Sequence, residues 1–442
     1  MAVSVVAVGP YGCGKTSALA QLCSQLGAFS EESLKVCKDL SQELGCPSCQ
    51  TSWMLDRLAV ERERVMTVQC TVQPFDSGSI KYCAVDTPGH TDYSKNMLSV
   101  TALADVALLM VPASVGEFEA EQQSGRVREI ALCCFTLGIK HIVGVVTKMD
   151  DESVEYSQSR YEEIKKVMNA HLKEVGYKQK DVPFVPASGL RGENFVSKSA
   201  NMAWYDGSTV VEALDALGPM NRPAEKPLRL PVLRVHDIQG VGTVIVGRVE
   251  TGSVRTGIKL LFSPTGQVGE VSSIEVLGEQ VNEAKSGDIA GICISGGLDI
   301  RRGMVGSFST NDPVADAESF IAQVVVLDHP SEIRAGYCPS IVVHTSQVPC
   351  EFEELIAKID RKTGKEVETK PERVVTGDVV TVRLRPRNKV CVEVFSAYPS
   401  LGRFAVRDHN RTLAVGVIKE VTKRSVVKPR TGNDNQYFDE RD

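Results

Sequence analysis

The sequence predicts a mainly parallel α/β unit with helices on both faces, followed by two β-rich units. Three observations predict it. In the first half, short β-branched runs alternate with longer helical patterns, the signature of a parallel sheet covered on both sides. Near residue 222 that alternation stops at the Pro-rich, charged stretch NRPAEKPLRLP, which reads as a linker. Beyond it, short alternating strands are punctuated by glycine, the pattern of a small barrel or sandwich.

In order, VSVVAV reads as the first strand, and GPYGCGKT from Gly9 to Thr16 follows it. KTSALAQLCSQLG reads as the next helix. IKYCAVD, ADVALLMVPA, HIVGVVTK and VPFVPAS are strand-like, whereas SGRVREIALCCFTLG and YEEIKKVMNAHLKEVG are helix-like. After the linker come TVIVGRVETG, IKLLFSPTG and GDIAGICISG, and a second β-rich unit runs from about residue 318 with FIAQVVVLDHP, SIVVHTS, VVTVRLRP and RFAVRD. The expected boundaries are 1–222, 228–315 and 318–424, with a polar, disordered tail over 425–442.

Composition narrows the class. The 442 residues are 42% hydrophobic and 24% charged, ordinary for a soluble chain of several domains. No apolar run reaches the roughly 18 residues of a membrane-spanning helix, so no membrane partner is expected. MAVSVVAVG reads as a strand feeding a loop rather than as a signal peptide, which implies a cytoplasmic location. The net charge of −6 argues against a broadly basic coat for nucleic acid, though not against a local basic face. Thirteen cysteines are scattered along the chain and are expected to be free, mostly buried thiols. Cys46 and Cys49 form a C-x-x-C, but a zinc site wants two more ligands and only Cys37 is near.

GPYGCGKT fits G-x-x-x-x-G-K-[ST], in which backbone N–H groups cradle phosphates at a helix N-terminus. Gly9, Gly12, Cys13, Gly14, Lys15, Thr16 and Ser17 are the expected phosphate contacts, with Lys15 neutralising charge and Thr16 a ligand of Mg²⁺. Asp86 ends an apolar strand and Gly89 follows three residues later. In that spacing the carboxylate suits Mg²⁺ and the glycine N–H suits a γ-phosphate. Thr147, Lys148 and Asp150 close another strand, and Asp150 can accept from N1–H and N2–H₂ of guanine, a donor pair that adenine lacks. Ser188, Gly189 and Leu190 suit the guanine O6. In this order the motifs point to GTP and GDP rather than ATP.

LDRLAVERERVMT, VDTPGHTDYSKNM, SVGEFEAE, TLGIKHIVGVVTKMD, VGRVETG and LGRFAVRD together resemble the elongation factor 1-alpha family, the counterpart of elongation factor Tu. The resemblance runs from about residue 3 to 424. It implies a P-loop GTPase domain followed by two β-barrels, and delivery of aminoacyl-tRNA to the ribosomal A site. The ribosome and a guanine nucleotide exchange factor are the implied partners of a chain that is otherwise a monomer. By motif, Thr67 resembles the switch threonine that binds Mg²⁺, and His90 the catalytic histidine that positions the attacking water. Lys95, Asn96 and Arg302 match positions that grip the tRNA 5′ end, and Glu275 one near the terminal adenosine.

The departures from that family cluster at working positions. Pro10, Tyr11 and Gly12 stand where the family has His-Val-Asp, and Val65 and Met66 where it has Gly-Ile. Tyr11 and Met66 stand at the two positions that gate access to His90 in that family, so both gate members are larger or more flexible here. Thr147 replaces an asparagine, which implies loss of that amide's reach to the base and the loop and weaker nucleotide affinity. VLG after Glu275, and Ile289, alter the expected aminoacyl-end pocket. Two other readings stand beside tRNA delivery. A release- or rescue-type ribosomal GTPase usually carries a long extension before the loop, which here begins at Gly9. A GTP-binding scaffold or regulator would have given up tRNA altogether.

Overall fold

The structure is a computed structural model describing residues 2–424, apart from 179, 180, 219, 221, 241, 328, 330, 361, 362, 409 and 410. The segment 425–442, expected to be a disordered tail, lies outside the described residues.

The first unit holds strands β1 (Val3–Val8), β2 (Thr71–Asp76), β3 (Lys81–Asp86), β4 (Val106–Pro112), β5 (His141–Thr147) and β6 (Phe184–Pro186) in the order β2-β3-β1-β4-β5-β6. Only β2 runs antiparallel. It is the strand the sequence reading missed, because Pro74 interrupts its pattern; an edge strand tolerates that proline. The helices are α1 (Lys15–Gln25), α2 (Glu31–Glu43), α3 (Ala59–Arg64), α4 (Ser94–Thr101), α5 (Glu117–Ser124), α6 (Arg126–Leu137), α7 (Gln158–Val175) and α8 (Val210–Asp215). Alternate strand residues serve opposite cores. Val5, Ala7, Leu108 and Val145 pack against α1 and α8, while Val6, Val8, Leu109 and Val146 pack against α4, α6 and α7. Burial on both faces explains why these strands read as continuous apolar runs.

Next come β7 (Leu230–Ile238), β8 (Gly242–Arg248), β9 (Ser253–Arg255), β10 (Lys259–Ser263), β11 (Gln267–Val276), β12 (Glu279–Val281), β13 (Glu283–Lys285), β14 (Ile289–Ser295) and β15 (Val305–Ser307). Their main sheet closes through a β10–β11 pairing, so the choice between barrel and sandwich falls to a barrel. The last sheet uses β16 (Ala317–Val326), β17 (Ser340–Val343), β18 (Ser346–Ile359), β19 (Glu366–Thr369), β20 (Val379–Pro386), β21 (Arg403–Asp408) and β22 (Arg411–Lys423). It closes through β17–β18.

The stretch read as a linker is docked rather than loose. Arg222 donates to Asp105 at 2.6 Å, and Arg248 of β8 pairs with the same carboxylate. Asp105 also accepts from the Ser4 N–H at 2.9 Å. Between the barrels, fully buried Arg229 pairs with Asp312 at 2.6 Å and Glu393 at 3.0 Å, and its guanidinium lies 4.0 Å from the Tyr398 ring.

The expectation of free thiols throughout is corrected at one place: Cys46 and Cys49 are joined in a disulfide. The other 11 cysteines form no disulfide, and all but Cys338 are buried.

His344 sits in the two-residue turn between β17 and β18, 1% exposed, with Nε2 3.0 Å from the Cys391 carbonyl. Burial lowers its pKa from 6.5 to about 4. The folded state then holds His344 neutral while the unfolded chain protonates it, so its contribution is present in full above pH 6.5 and is lost as pH falls through 4. Urea unfolding at pH 7 and pH 4.5 should show the second barrel losing about 2 kcal/mol from this group. His344→Asn should remove most of that pH-dependent part, and an unchanged pH dependence in the variant refutes the assignment.

Candidate functional site

The site forms where β1, β3 and β5 end. Gly14 caps α1 with φ 82°, a left-handed conformation that glycine adopts without penalty. Gly9 leaves β1, Gly12 also has positive φ, buried Cys13 follows, and Thr16 and Ser17 lie in the first turn of α1. The successive N–H groups at the start of α1 therefore face one anion position. Lys15 is buried, and its ammonium donates to the Pro10 carbonyl at 2.6 Å. Gly89 closes on this loop so tightly that a Cβ there would lie 2.4 Å from Lys15 Nζ and 2.7 Å from Pro10 O.

Thr16, Thr67 and Asp86 meet, although they lie far apart in sequence. The Thr16 hydroxyl donates to Asp86 Oδ2 at 2.8 Å and lies 2.9 Å from the Thr67 hydroxyl. Thr67 in turn donates to Asp56 Oδ1 at 2.9 Å. Asp86 is wholly buried and its Oδ1 has no partner among the described residues. Burial raises its pKa to about 6. Burial, and then the nearby Asp86, raise Asp56 to about 7. Two desolvated carboxylates, one with an orphaned oxygen, and two hydroxyls make a hard-oxygen donor set that fits a divalent cation such as Mg²⁺.

Sequence reasoning missed two residues here. Asp56 was visible only as part of LDRLAVERERVMT; its role depends on a fold that brings residues 56 and 67 together. Glu61, 1% exposed, accepts from the Val68 and Gln69 N–H groups at 2.9 Å and from Leu58 N at 3.0 Å. That carboxylate pins both sides of the turn carrying Thr67. The only advance signal was a glutamate two residues into a short helix flanked by basic residues.

One expectation about Thr147 is corrected. Its hydroxyl donates to the Cys13 carbonyl at 2.7 Å, so contact with the phosphate loop is kept despite the missing amide. Lys148 holds φ 59° and its ammonium pairs with Glu117 at 2.8 Å. Asp150 is half-buried two residues later. Buried Ser188 accepts from the Arg191 N–H at 3.0 Å, Gly189 lies against Ala18 of α1, and Leu190 is exposed. His90 is half-buried and lies edge-on to the exposed Tyr11 ring at 5.8 Å. Met66 is half-buried on the turn that carries Thr67.

Asn96 and Arg302 line one cleft of about 360 Å³ together with Gln69, Arg234 and His236. Asn96 donates to the Val68 carbonyl at 3.2 Å, and Arg302 to the Thr345 carbonyl of the second barrel at 3.3 Å. Lys95 lies on α4 and its side chain is outside the described residues. Glu275 is exposed on β11 and does not line this cleft.

A phosphate loop, a buried strand-end aspartate and a half-buried aspartate after β5, all at one end of a parallel sheet, define a P-loop GTPase with two barrels attached. Profiles of the elongation factor Tu GTP-binding domain, of elongation factor Tu domain 2 and of a "GTP-eEF1A C-terminal domain-like" unit match residues 1–220, 242–307 and 319–419. Elongation factor 1-alpha of Tetrahymena pyriformis is 44% identical over 425 residues, covering 96% of this chain and 98% of its own. That of Entamoeba histolytica is 43% identical, covering 96% of each. The chain belongs to the elongation factor 1-alpha family of translational GTPases. The S. cerevisiae Ski7 GTPase-like domain, 16% identical, shares the fold with a TM-score of 0.79 over 95% of this chain and 97% of its own.

Val65 precedes this machinery at φ 49°, in the left-handed region that favours glycine. A β-branched residue pays roughly 1–2 kcal/mol to sit there. Val65→Gly should therefore stabilise the turn by about 1 kcal/mol, read as roughly fivefold slower hydrogen exchange at the Val68 and Gln69 amides. Faster exchange in the variant would show that Val65 is accommodated without strain.

Proposed function

We propose that this translational GTPase delivers aminoacyl-tRNA to the ribosomal A site in its GTP state and releases it after hydrolysis, in the cytoplasm and with an exchange factor restoring GTP. The observation that carries the reading is the cleft holding Asn96, Arg234 and Arg302. Three parts of the chain build it: α4 with the segment that follows Thr67, β7, and the loop before β15. A tRNA phosphate bound there would bridge the switch segment and the first barrel, so its grip would depend on the order of the switch.

The loop N–H groups and Lys15 hold the phosphates. Thr16 and Thr67, with Asp56 and Asp86 beside them, would hold Mg²⁺, which would neutralise phosphate charge. Asp150 accepts from the guanine edge while Lys148, Ser188, Gly189 and Leu190 enclose the base. His90 orients the attacking water, with the Tyr11 ring edge-on beside it at 5.8 Å. Phosphoryl transfer asks the protein for orientation and electrostatics rather than covalent chemistry.

The decisive measurement is protection of the aminoacyl ester from spontaneous hydrolysis at low salt. The GTP-loaded chain should protect it, and Arg302→Ala should weaken that protection about tenfold by removing one charged phosphate contact. Absence of protection ends the delivery reading; ribosome-stimulated GTP turnover without protection identifies a release- or rescue-type factor instead. For the base, Asp150→Asn should weaken GDP binding on the order of 100-fold and shift preference toward xanthine nucleotides. Undiminished GDP selectivity in that variant would remove Asp150 from the site.

A further inference from the structure

Eleven cysteines of the chain form no disulfide, and Cys46 is paired with Cys49. In a thiol-rich chain placed in the cytoplasm, an isolated disulfide is the mark of a transient, redox-sensing pair rather than a structural staple. Its position is equally specific. The pair lies in the segment between α2 and α3, at a 3-10 turn Pro47–Cys49. Cys37, Cys49 and Trp53 form a small core of their own, separate from the sheet cores, with Cys46 packed against it. Cys46 is half-buried and Cys49 is buried, so one sulfur is open to attack and the other is a sheltered leaving group. Burial raises the pKa of the Cys37 thiol, which keeps it protonated beside the pair instead of reshuffling it.

From this core a short relay reaches the nucleotide site. The Ser52 hydroxyl donates to the Cys49 carbonyl at 3.0 Å, and the Asp56 N–H donates to the Ser52 carbonyl at 3.0 Å. Trp53 is 2% exposed. The Arg62 guanidinium lies 5.7 Å from its ring and donates to the Trp53 carbonyl at 3.1 Å and the Asp56 carbonyl at 2.8 Å. Asp56 then receives Thr67, which touches Thr16 of the phosphate loop.

We propose that Cys46 and Cys49 are a reversible thiol–disulfide site whose oxidised form steadies the segment carrying Asp56 and Thr67 and so slows nucleotide release. The coupling rests on the reading that these residues hold the nucleotide's cation. The reductant is a dithiol, of protein or small-molecule type. One of its thiolates attacks the Cys46 sulfur, the S–S bond breaks, and its electron pair leaves on Cys49. The second thiol of the reductant then displaces Cys46 from the mixed disulfide. Two electrons and two protons have passed to the protein, and the reductant departs as its own disulfide. A loop this short confines little chain entropy, so reduction should speed release by between about 3-fold and about 20-fold.

The test uses the full chain carrying Trp204→Phe, which leaves Trp53 as the single tryptophan, in buffers of graded reduced to oxidised dithiothreitol. Alkylation and mass spectrometry of the peptide 39–57 count the thiols. Trp53 emission reads the couple itself, and release of a fluorescent GDP analogue reads its coupling to the site. The expected result is reversible conversion, a change in emission, and faster release on reduction. Cys46→Ser and Cys49→Ser should each show the fast rate in every buffer. The proposal is overturned if release is equal in the two states once trapping has verified them. It is also overturned if the serine variants still respond, or if the pair resists reduction until the chain unfolds.

Discussion

The structure of the nucleotide end depends on two carboxylates held out of water close to one another. Asp86 and Asp56 are both raised by burial, and each is tied to a threonine hydroxyl. In an ordinary core such a pair would be replaced by apolar side chains, because desolvation outweighs what two hydroxyls return. Here the unfavourable pair sits at the mouth of a phosphate loop, where a bound cation would supply the missing counter-charge. Glu61 and Gly89 then appear as supports: one pins the turn that carries Thr67, the other presses the strand end against Lys15.

Two further ionic clusters join the parts. Asp105 receives Arg222, Arg248 and the Ser4 N–H where the first domain meets the first barrel. Arg229 does the same between the barrels, fully desolvated among Asp312, Glu393 and Tyr398. Both are buried charge networks in which each cation meets acceptors on more than one element. Removing the shared group of either network, Asp105 or Arg229, would strip buried opposite charges of a partner, at a cost of about 3–5 kcal/mol.

What could be read from sequence was what is local. The phosphate loop is legible because its function lies in backbone geometry over eight consecutive residues, from Gly9 to Thr16. The parallel strands were legible because both faces are buried. Asp56 and Glu61 were not, since their meaning lies in contacts that the fold creates. Thr147 was misjudged for the same reason: side-chain length alone suggested a lost contact, but the strand end brings its hydroxyl to the Cys13 carbonyl. The Cys46–Cys49 disulfide went unread because the thiol-rich composition of the rest of the chain argued the other way.

The Arg229 cluster has a mechanical consequence. Pulling the barrels apart would strand a bare guanidinium, whereas Asp105 holds its arginines at the seam with the first domain. Separation of the barrels is therefore opposed at its own charge cluster, independently of the Asp105 seam, which lies at the start of β4, at the end of the sheet opposite the phosphate loop.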